Sequence, residues 1–316
     1  MNALQGKKIA LLGYGNQGRA QAMNLRDSGV QVEIGARPGK GWDAARQDGF
    51  SVSTFREAAE RGQVLMFLLP DQVIPLVYQD LSDLFQNGQR EVGFSHGYAY
   101  HFGGITKFPQ AGYFLVGPKG AGAILREHYE SGSGLPGVFA VESPREETRL
   151  IGLAYAKAVG VGTPTLLETT FQEETECDLF GEQVVLCGGI LELMEAAFET
   201  LVKNGNSREM AFFECCFEAK MILDLWMKVG PAELSKKISP TAFYGGTTRG
   251  KRLIDAKVRE KMDEVFQEIR RGDFSREWKS EADNNFPKLK QRSQELQGAG
   301  LEQTFQILKN QLQKSH

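Results

Sequence analysis

Two acidic pairs of identical spacing, Asp178-x-x-x-Glu182 and Glu214-x-x-x-Glu218, stand in otherwise apolar stretches of this chain. Residues four apart share one face of a helix, where like charges repel by roughly 0.2–0.5 kcal/mol per pair in water and by more once desolvated. A bound cation would relieve that repulsion. In the second stretch Ala211, Met221, Ile222 and Leu225 project with the glutamates, while Glu209, Lys220 and Asp224 form a charged stripe nearly opposite. The glutamates are therefore expected on a core-facing side. In the first stretch Leu179, Phe180, Val184, Leu186 and Cys187 leave hardly any face for water. Such pairs on exposed helices usually mean nothing, but their repetition on two apolar helices favours metal binding. All-oxygen ligation selects hard divalent cations, magnesium or manganese.

A second string carries different chemistry. Gly13-Tyr14-Gly15-Asn16-Gln17-Gly18 follows an apolar run and opens a helix through Ala20, Ala22, Met23 and Leu25. In that setting the glycines permit a tight turn and bring backbone N–H groups close to a pyrophosphate, which a helix N-terminus favours. The end of the second strand selects the cofactor. An NAD site usually places an acid there for the ribose 2′-hydroxyl, whereas this chain has Ala36-Arg37-Pro38-Gly39-Lys40, with Glu33 earlier in the strand. Arg37 and Lys40 can grip a 2′-phosphate, so NADP(H) is favoured, with NADH left open. Three further strand ends carry polar residues expected to face the cofactor crevice: Asp71-Gln72, His96-Gly97 and Pro118-Lys119-Gly120. His96 suits a catalytic or substrate-orienting imidazole, and Lys119 can hold a carboxylate. His101 and His128 have no such placement.

The elements that must position these residues are legible in the pattern. Lys8–Leu12, Val30–Gly35, Val64–Leu69, Glu91–Ser95, Tyr113–Val116 and Val138–Val141 read as strands. Runs apolar on both faces imply a parallel sheet covered by helices, an α/β, Rossmann-like doubly wound domain. From about Thr170 the strand signals stop. Thr170-Phe171-Gln172-Glu173 fits a capping box and Ser207 an N-cap, so an all-α second domain follows. The boundary is placed near Gly160–Pro164, giving a nucleotide-binding domain over 1–163 and a helical domain over 164–316. The Gln- and Lys-rich tail after Pro287 reads as a loosely held surface segment.

At 316 residues there is room for two cores. A net charge of -3 gives no electrostatic reason to expect nucleic acid or an anionic membrane, and a small molecule is the better default partner. The most apolar run, 64–77, is broken by Pro70, Asp71, Gln72 and Pro75, so it does not span a bilayer. A strand begins within a few residues of Met1, which leaves no room for a signal peptide. Cys177, Cys187, Cys215 and Cys216 lack metal-ligand spacing and read as free thiols of a cytoplasmic protein.

With these residues laid out, the chain resembles ketol-acid reductoisomerase, or acetohydroxyacid isomeroreductase, of the short class I type, over nearly its whole length. The resemblance rests on the glycine-rich hexapeptide, Leu68-Leu69-Pro70-Asp71, His96-Gly97 with His101-Phe102-Gly103, Pro118-Lys119-Gly120 and Glu168-Thr169-Thr170-Phe171. It continues through Asp178-Leu179-Phe180-Gly181-Glu182-Gln183, Leu186-Cys187-Gly188-Gly189, Phe213-Glu214-Cys215 with Glu218, and Ile238-Ser239. The resemblance implies that Asp178, Glu182, Glu214 and Glu218 hold two Mg2+ ions, that Glu218 also takes part in proton chemistry, and that Ser239 contacts substrate. It implies catalytic places for His96 and Lys119. Cofactor contacts are implied for Tyr14, Gly15, Asn16, Gln17, Arg37, Asp71, Gln72, Val73, Ile74 and Gly122.

The implied reaction takes a 2-hydroxy-2-alkyl-3-oxo acid such as 2-acetolactate or 2-aceto-2-hydroxybutyrate through a metal-assisted 1,2-alkyl shift and then a hydride reduction. The product is a 2,3-dihydroxy acid of valine and isoleucine synthesis. The resemblance further implies a knotted helical domain and a homodimer in which the second glutamate pair and Ser239 come from the partner. The chain departs from the usual pattern at the serine-free Gly39-Lys40-Gly41 and at Ala99, Ala121, Phe217, Pro240 and Phe243. The first concerns the 2′-phosphate and so the choice between NADPH and NADH, while the others are expected to line the substrate side and leave the alkyl preference open. A 3-hydroxyacid dehydrogenase using Lys119 as proton donor would share both domains but leave the four carboxylates without a role. The intact metal and serine positions argue against a catalytically diverged paralogue.

Overall fold

The computed structural model describes residues 2–86 and 89–312. The chain divides into two compact units, Met1–Cys177 and Asp178–His316. The strands of the first are β1 (Lys8–Leu12), β2 (Gln31–Gly35), β3 (Val52–Ser53), β4 (Val64–Phe67), β5 (Glu91–Phe94), β6 (Gly112–Pro118), β7 (Leu135–Glu142) and β8 (Val161–Glu168). They form one sheet in the order β3-β2-β1-β4-β5-β6-β7-β8. Pairing is parallel from β3 to β6, antiparallel between β6 and β7, and parallel between β7 and β8. Its helices are α1 (Asn16–Asp27), α2 (Lys40–Gln47), α3 (Phe55–Arg61), α4 (Ile74–Asp80), α5 (Ser82–Gln86), α6 (Tyr98–His101), α7 (Gly122–Glu130) and α8 (Glu146–Val159). Helix α9 (Phe171–Phe180) runs across the boundary between the units.

The strand sequences explain the layering. In β1, Ile9 and Leu11 enter one apolar cluster while Ala10 and Leu12 enter the other, and all four are fully buried. A strand covered on both faces requires that pattern. On one side α1 and α8 supply Leu25, Ile151 and Tyr155. On the other, α4 and α5 supply Ile74, Tyr78 and Phe85, whose rings stack with centroids 4.6 Å apart for Tyr78 and Phe85. Each such side chain contributes about 1.5–3 kcal/mol through its buried area. The strand order reverses direction between β1 and β4, which opens a crevice at the C-terminal ends of those strands.

All six predicted strands are present, with ends shifted by a few residues. Two were not anticipated: β3 is too short to show periodicity, and β8 is a half-exposed edge strand that carries Pro164. Thr170 caps α9 by accepting the Glu173 N–H at 3.0 Å, but the expected box is only half formed, because the Glu173 carboxylate takes the Thr169 hydroxyl instead.

In the second unit the described residues contain no strand. It comprises α10 (Gly189–Lys203), α11 (Arg208–Phe212), α12 (Glu218–Leu234), α13 (Pro240–Leu253), α14 (Ala256–Arg270), α15 (Asp273–Asp283), α16 (Pro287–Gly298) and α17 (Gly300–Leu312). Ser207 caps α11 as expected, and α12 bends at Gly230, whose φ of 79° leaves the helical region. A small core joins Phe198, Ala211, Phe212 and Leu308. The tail after Pro287 is therefore not loosely held. Its polar composition hides two helices, and α17 turns Thr304 and Leu308 inward. No helix among the described residues is long and apolar enough to cross a membrane.

Candidate active site

β1 ends in a glycine loop that side chains would destroy. Gly13 has φ 113°, and a Cβ there would lie 2.3 Å from the Leu68 carbonyl oxygen. On Gly122 it would lie 2.1 Å from the Asn16 carbonyl oxygen. The loop is thus pressed by backbone against the end of β4 on one side and the start of α7 on the other. Gly15 alone of the three loop glycines faces open space. The N-termini of α1 and α7 open together onto a cleft of about 680 Å³, lined by Tyr14, Gly15, Asn16, Lys40 and Gly122 among others. Two sets of unsatisfied N–H groups beside an open glycine suit a diphosphate, so the cleft fits a dinucleotide.

At the far end of the cleft, Arg37 and Lys40 are exposed and no described residue pairs with either side chain. Glu33 is buried and engaged with Arg61, Lys8 and Ser53, so it does not offer a carboxylate to a ribose. Tyr14 is buried against Phe50 and donates its hydroxyl to Asp48 at 2.8 Å. Arg19 grips the same carboxylate with two bonds, at 2.7 and 3.0 Å. The Arg19 hydrogen bonds hold Asp48 below the usual carboxylate range, while burial and the Asp48 charge push the Tyr14 phenol up. After β4, Asp71, Gln72 and Val73 form a half-buried turn. Ile74 points into the apolar core, so any cofactor contact it makes comes from its backbone.

The ends of β5 and β6 converge with the first turns of α9. His96 and Lys119 both approach Glu174, a carboxylate buried to 2% side-chain exposure. Glu174 Oε2 accepts the Gly97 N–H at 2.8 Å, the His96 Nδ1 lies 3.3 Å away, and Lys119 Nζ lies 3.9 Å from Oε1. A Cβ on Gly97 would meet Thr175 Oγ1 at 2.4 Å, so glycine is what lets α9 approach so closely. With Nδ1 donating to Glu174, His96 turns its Nε2 away as the reactive nitrogen. The arrangement resembles the orienting carboxylate of a catalytic imidazole. Glu174 was missed in the sequence, where it is one of three acids in Glu173-Glu174-Thr175-Glu176. Its one available signal was a position one turn before Asp178 on the same helix.

The four carboxylates of the second unit are placed differently from expectation. Glu182, Glu214 and Glu218 are exposed and Asp178 is half-buried. Met221 and Ile222, assigned to the same inward face, are exposed by 42% and 38%, and Leu186 by 60%. Most of this face is turned outward in the single chain, although Ala211 and Leu179 are buried as expected. A wide π-type turn also accompanies each pair: Glu182 lies within Gly181–Leu186, where the Cys187 N–H reaches back to the Glu182 carbonyl at 2.8 Å, and Glu214 lies within Phe213–Phe217 with Glu218 just after it. Gly188 and Gly189 accommodate that turn, since a Cβ on either would lie 2.0 Å from the carbonyl five residues before. Such turns recur at functional sites, and they keep residues roughly four to five apart on one face. Glu214 and Glu218 have no hydrogen bond or ion pair with another described residue. Accessible oxygen donors of this kind fit hard divalent cations.

Ser239 caps α13 by accepting the Ala242 N–H at 3.1 Å, which leaves its hydroxyl hydrogen for another acceptor. Phe217 and Phe243 are exposed, Pro240 opens α13, and Ala121 lies in the dinucleotide cleft. Ala99 does not line a substrate surface, because it is fully enclosed in the core. All four cysteines are free thiols.

Residues 3–164 match the family domain described as acetohydroxy acid isomeroreductase, NADPH-binding domain, and residues 171–314 match the ketol-acid reductoisomerase C-terminal domain. The chain is 46% identical over 290 residues to the ketol-acid reductoisomerase (NADP(+)) of Methanocaldococcus jannaschii, covering 91% of this chain and 88% of that protein. It superposes on an NADH-preferring ketol-acid reductoisomerase from an uncultured archean with a TM-score of 0.92 at 39% identity, covering 97% of this chain and 95% of the other. A semialdehyde dehydrogenase NAD-binding protein from Cupriavidus necator shares the fold at a TM-score of 0.65 and 20% identity, covering 84% of this chain and 99% of that one.

Proposed function

The chain belongs to the ketol-acid reductoisomerase family, and on that premise we propose that it converts 2-acetolactate or 2-aceto-2-hydroxybutyrate into the corresponding 2,3-dihydroxy acid in valine and isoleucine synthesis. The observation that carries this reading is one chain holding both a dinucleotide cleft and two carboxylate pairs, each with a member inside a π-type turn and three of the four carboxylates exposed. Asp178, Glu182, Glu214 and Glu218 would hold two Mg2+ ions, which when bound supply the Lewis acidity an alkyl shift from an alkoxide to a neighbouring carbonyl needs. A nicotinamide cofactor held in the cleft by Tyr14, Gly15, Asn16 and Gly122 would supply the hydride that reduction of the resulting ketone needs.

The chain's own residues do the rest. Glu174 fixes the His96 ring and balances the Lys119 charge, so the two side chains enter the site with defined roles. His96 holds or releases a proton at Nε2, and Lys119 orients an anionic substrate group. Glu218 is a metal ligand that also holds the proton of the substrate hydroxyl, and Ser239 donates its free hydroxyl hydrogen to substrate. Arg37 and Lys40 favour NADPH over NADH, since both follow the second strand, where the ribose would lie, and neither is paired with a described residue.

We also infer a homodimer whose site is shared, with Asp178 and Glu182 of one copy meeting Glu214 and Glu218 of the other. Support comes from the large apolar side chains left open beside the second pair, including Phe213, Phe217, Trp226 and Met227, the last exposed by 78%. The free thiols support a cytoplasmic setting. The test is NADPH oxidation with 2-acetolactate, with and without magnesium and a chelator. Turnover that needs the metal is expected, and turnover indifferent to the chelator would overturn the proposal.

A further inference from the structure

A buried hydrogen-bond relay lies beneath the loops that follow β1, β5 and β6. Gln21, on the inward face of α1, is fully buried, as is Tyr155 of α8. Tyr155 donates its hydroxyl to Gln21 Oε1 at 2.6 Å. Gln21 Nε2 donates twice, to Ser95 Oγ at 2.9 Å and to Gln17 Oε1 at 3.1 Å. Gln17 Nε2 then donates to the Gly120 carbonyl at 2.9 Å.

The relay has one polarity. The Gly120 carbonyl only accepts, so Gln17 must turn its nitrogen there and its oxygen toward Gln21. Gln21 must then turn its nitrogen to Gln17 and Ser95, and its oxygen to Tyr155. Flipping Gln17 sets two acceptors face to face at Gly120, and flipping Gln21 does so at Gln17, which costs a part-buried group its partner. Ser95 Oγ is consequently an acceptor toward Gln21, and its own hydrogen is directed to a different partner. The three tethered points are not random. Gln17 belongs to the glycine loop, Ser95 immediately precedes His96, and Gly120 immediately follows Lys119.

We propose that Gln21 is a positioning residue for the nicotinamide half of the bound dinucleotide, acting through Gln17 and Ser95 to hold the glycine loop, the His96 loop and the Lys119 loop at one spacing. Removing the amide strands Tyr155, Ser95 and Gln17 and so costs stability too, which is why cofactor is compared with its fragment in the folded protein. What the amide supplies is a direction for each hydrogen bond. The inference rests on the reading that the nicotinamide lies beside His96 and Lys119, and it makes no claim about the metal or the substrate.

The test compares Gln21→Leu and Ser95→Ala, singly and together, in the full-length protein. Each is titrated with whichever of NADPH or NADH the wild type binds more tightly, and with the matching adenosine fragment, 2′,5′-ADP or ADP. Losing the relay's grip should weaken the whole cofactor by about tenfold, the equivalent of one hydrogen bond, while the fragment changes by less than about twofold. Ser95→Ala should add little in the Gln21→Leu background, because the two act through one contact. Equal weakening of cofactor and fragment, no weakening of either, or additive effects would overturn the proposal. Should Gln21→Leu fail to fold, Ser95→Ala alone decides: a loss confined to the whole cofactor supports the proposal, and unchanged cofactor binding refutes it. Because binding is read without substrate, a failure to turn over 2-acetolactate counts against the proposed reaction and not against this inference.

Discussion

Replacing Glu174 by Gln preserves shape and removes a charge, and the structure lets the consequences be separated. The carboxylate takes the Gly97 N–H at 2.8 Å, the His96 ring at 3.3 Å and Lys119 at 3.9 Å. An amide oxygen can keep the Gly97 bond, which leaves the amide NH2 facing His96 and Lys119. His96 Nδ1 must then accept where it had donated, the ring hydrogen moves to Nε2, and that nitrogen offers substrate a donor where it had offered a lone pair. The Lys119 contact adds little to stability, because that side chain is 43% exposed and its ion pair is screened. One charge-assisted bond weakened and one lost amount to about 1–3 kcal/mol. That is a fall in Tm of roughly 10 °C or less for a protein of this size. The catalytic loss should be far larger, about 10²–10⁴-fold in kcat, the usual worth of a positioned acid or base. Steady-state NADPH oxidation at saturating substrate, run beside thermal unfolding of the same samples, measures both. A kcat within threefold of wild type would refute the argument, as would a kcat loss no greater than the fraction unfolded.

Arg37→Ala combined with Lys40→Ala should weaken NADPH binding by about 10-fold or more and leave NADH within about twofold, since only the former carries a 2′-phosphate for them to grip; equal losses by fluorescence titration would remove both side chains from the phosphate. Co-expressing Asp178→Asn with Glu218→Gln should recover about one quarter of wild-type activity from two inactive variants, because half of randomly formed dimers are mixed and each mixed dimer keeps one intact shared site. A mixture that stays inactive would place all four carboxylates of each site in one chain. Asp48 sits below its ordinary range because Arg19 bonds its charged form, so its stabilisation is complete above the unfolded carboxylate value and is lost as pH falls through the folded one. Asp48→Asn should therefore melt below wild type at pH 7, with the gap closing as pH falls below about 4, and a gap that stays constant between pH 7 and pH 3 would contradict this.

The first unit was legible where burial dictates pattern. Lys8–Leu12 reads as a strand because both its faces meet apolar layers, and the glycines after it read as a phosphate loop because backbone contacts at Gly13 and Gly18 forbid anything larger. Glu174 was illegible because its meaning is tertiary. Only the approach of α9 to Gly97 makes it a buried partner of His96, and nothing in three acids within four residues says which one turns inward. Gln21 is the same case, an amide whose partners come from its own helix, from the end of β5 and from α8. The second unit misled for another reason. A helical wheel drawn at constant pitch over Glu214 and Glu218 ignores the wide turn between them, and it equates an apolar face with a buried one. Met221 and Ile222 show that the equation fails when the chain alone does not supply the cover.

That failure bears on how the work is divided along the chain. Around the dinucleotide cleft the polar side chains are satisfied within the unit: Gln21 uses both amide hydrogens, Glu33 and Glu174 each have several partners, and Asp48 has three donors including the Tyr14 hydroxyl. A site so organised is preformed and binds cofactor without first assembling itself. The carboxylate face of the second unit is the opposite case: among the described residues Glu214 and Glu218 have no hydrogen-bond or ion-pair partner, and apolar side chains lie open beside them. Whatever binds such a face in the folded state alone adds RT ln(1 + [L]/Kd) to stability, about 2.7 kcal/mol at a ligand concentration one hundred times Kd. A cation and a second copy of the chain, if they bind this face as proposed, would thus act on the same equilibrium as folding of this unit. On the proposed reading, relief of the acidic repulsion would couple metal binding to the order of this face, and the contacts of a shared-site dimer would add to the same linkage.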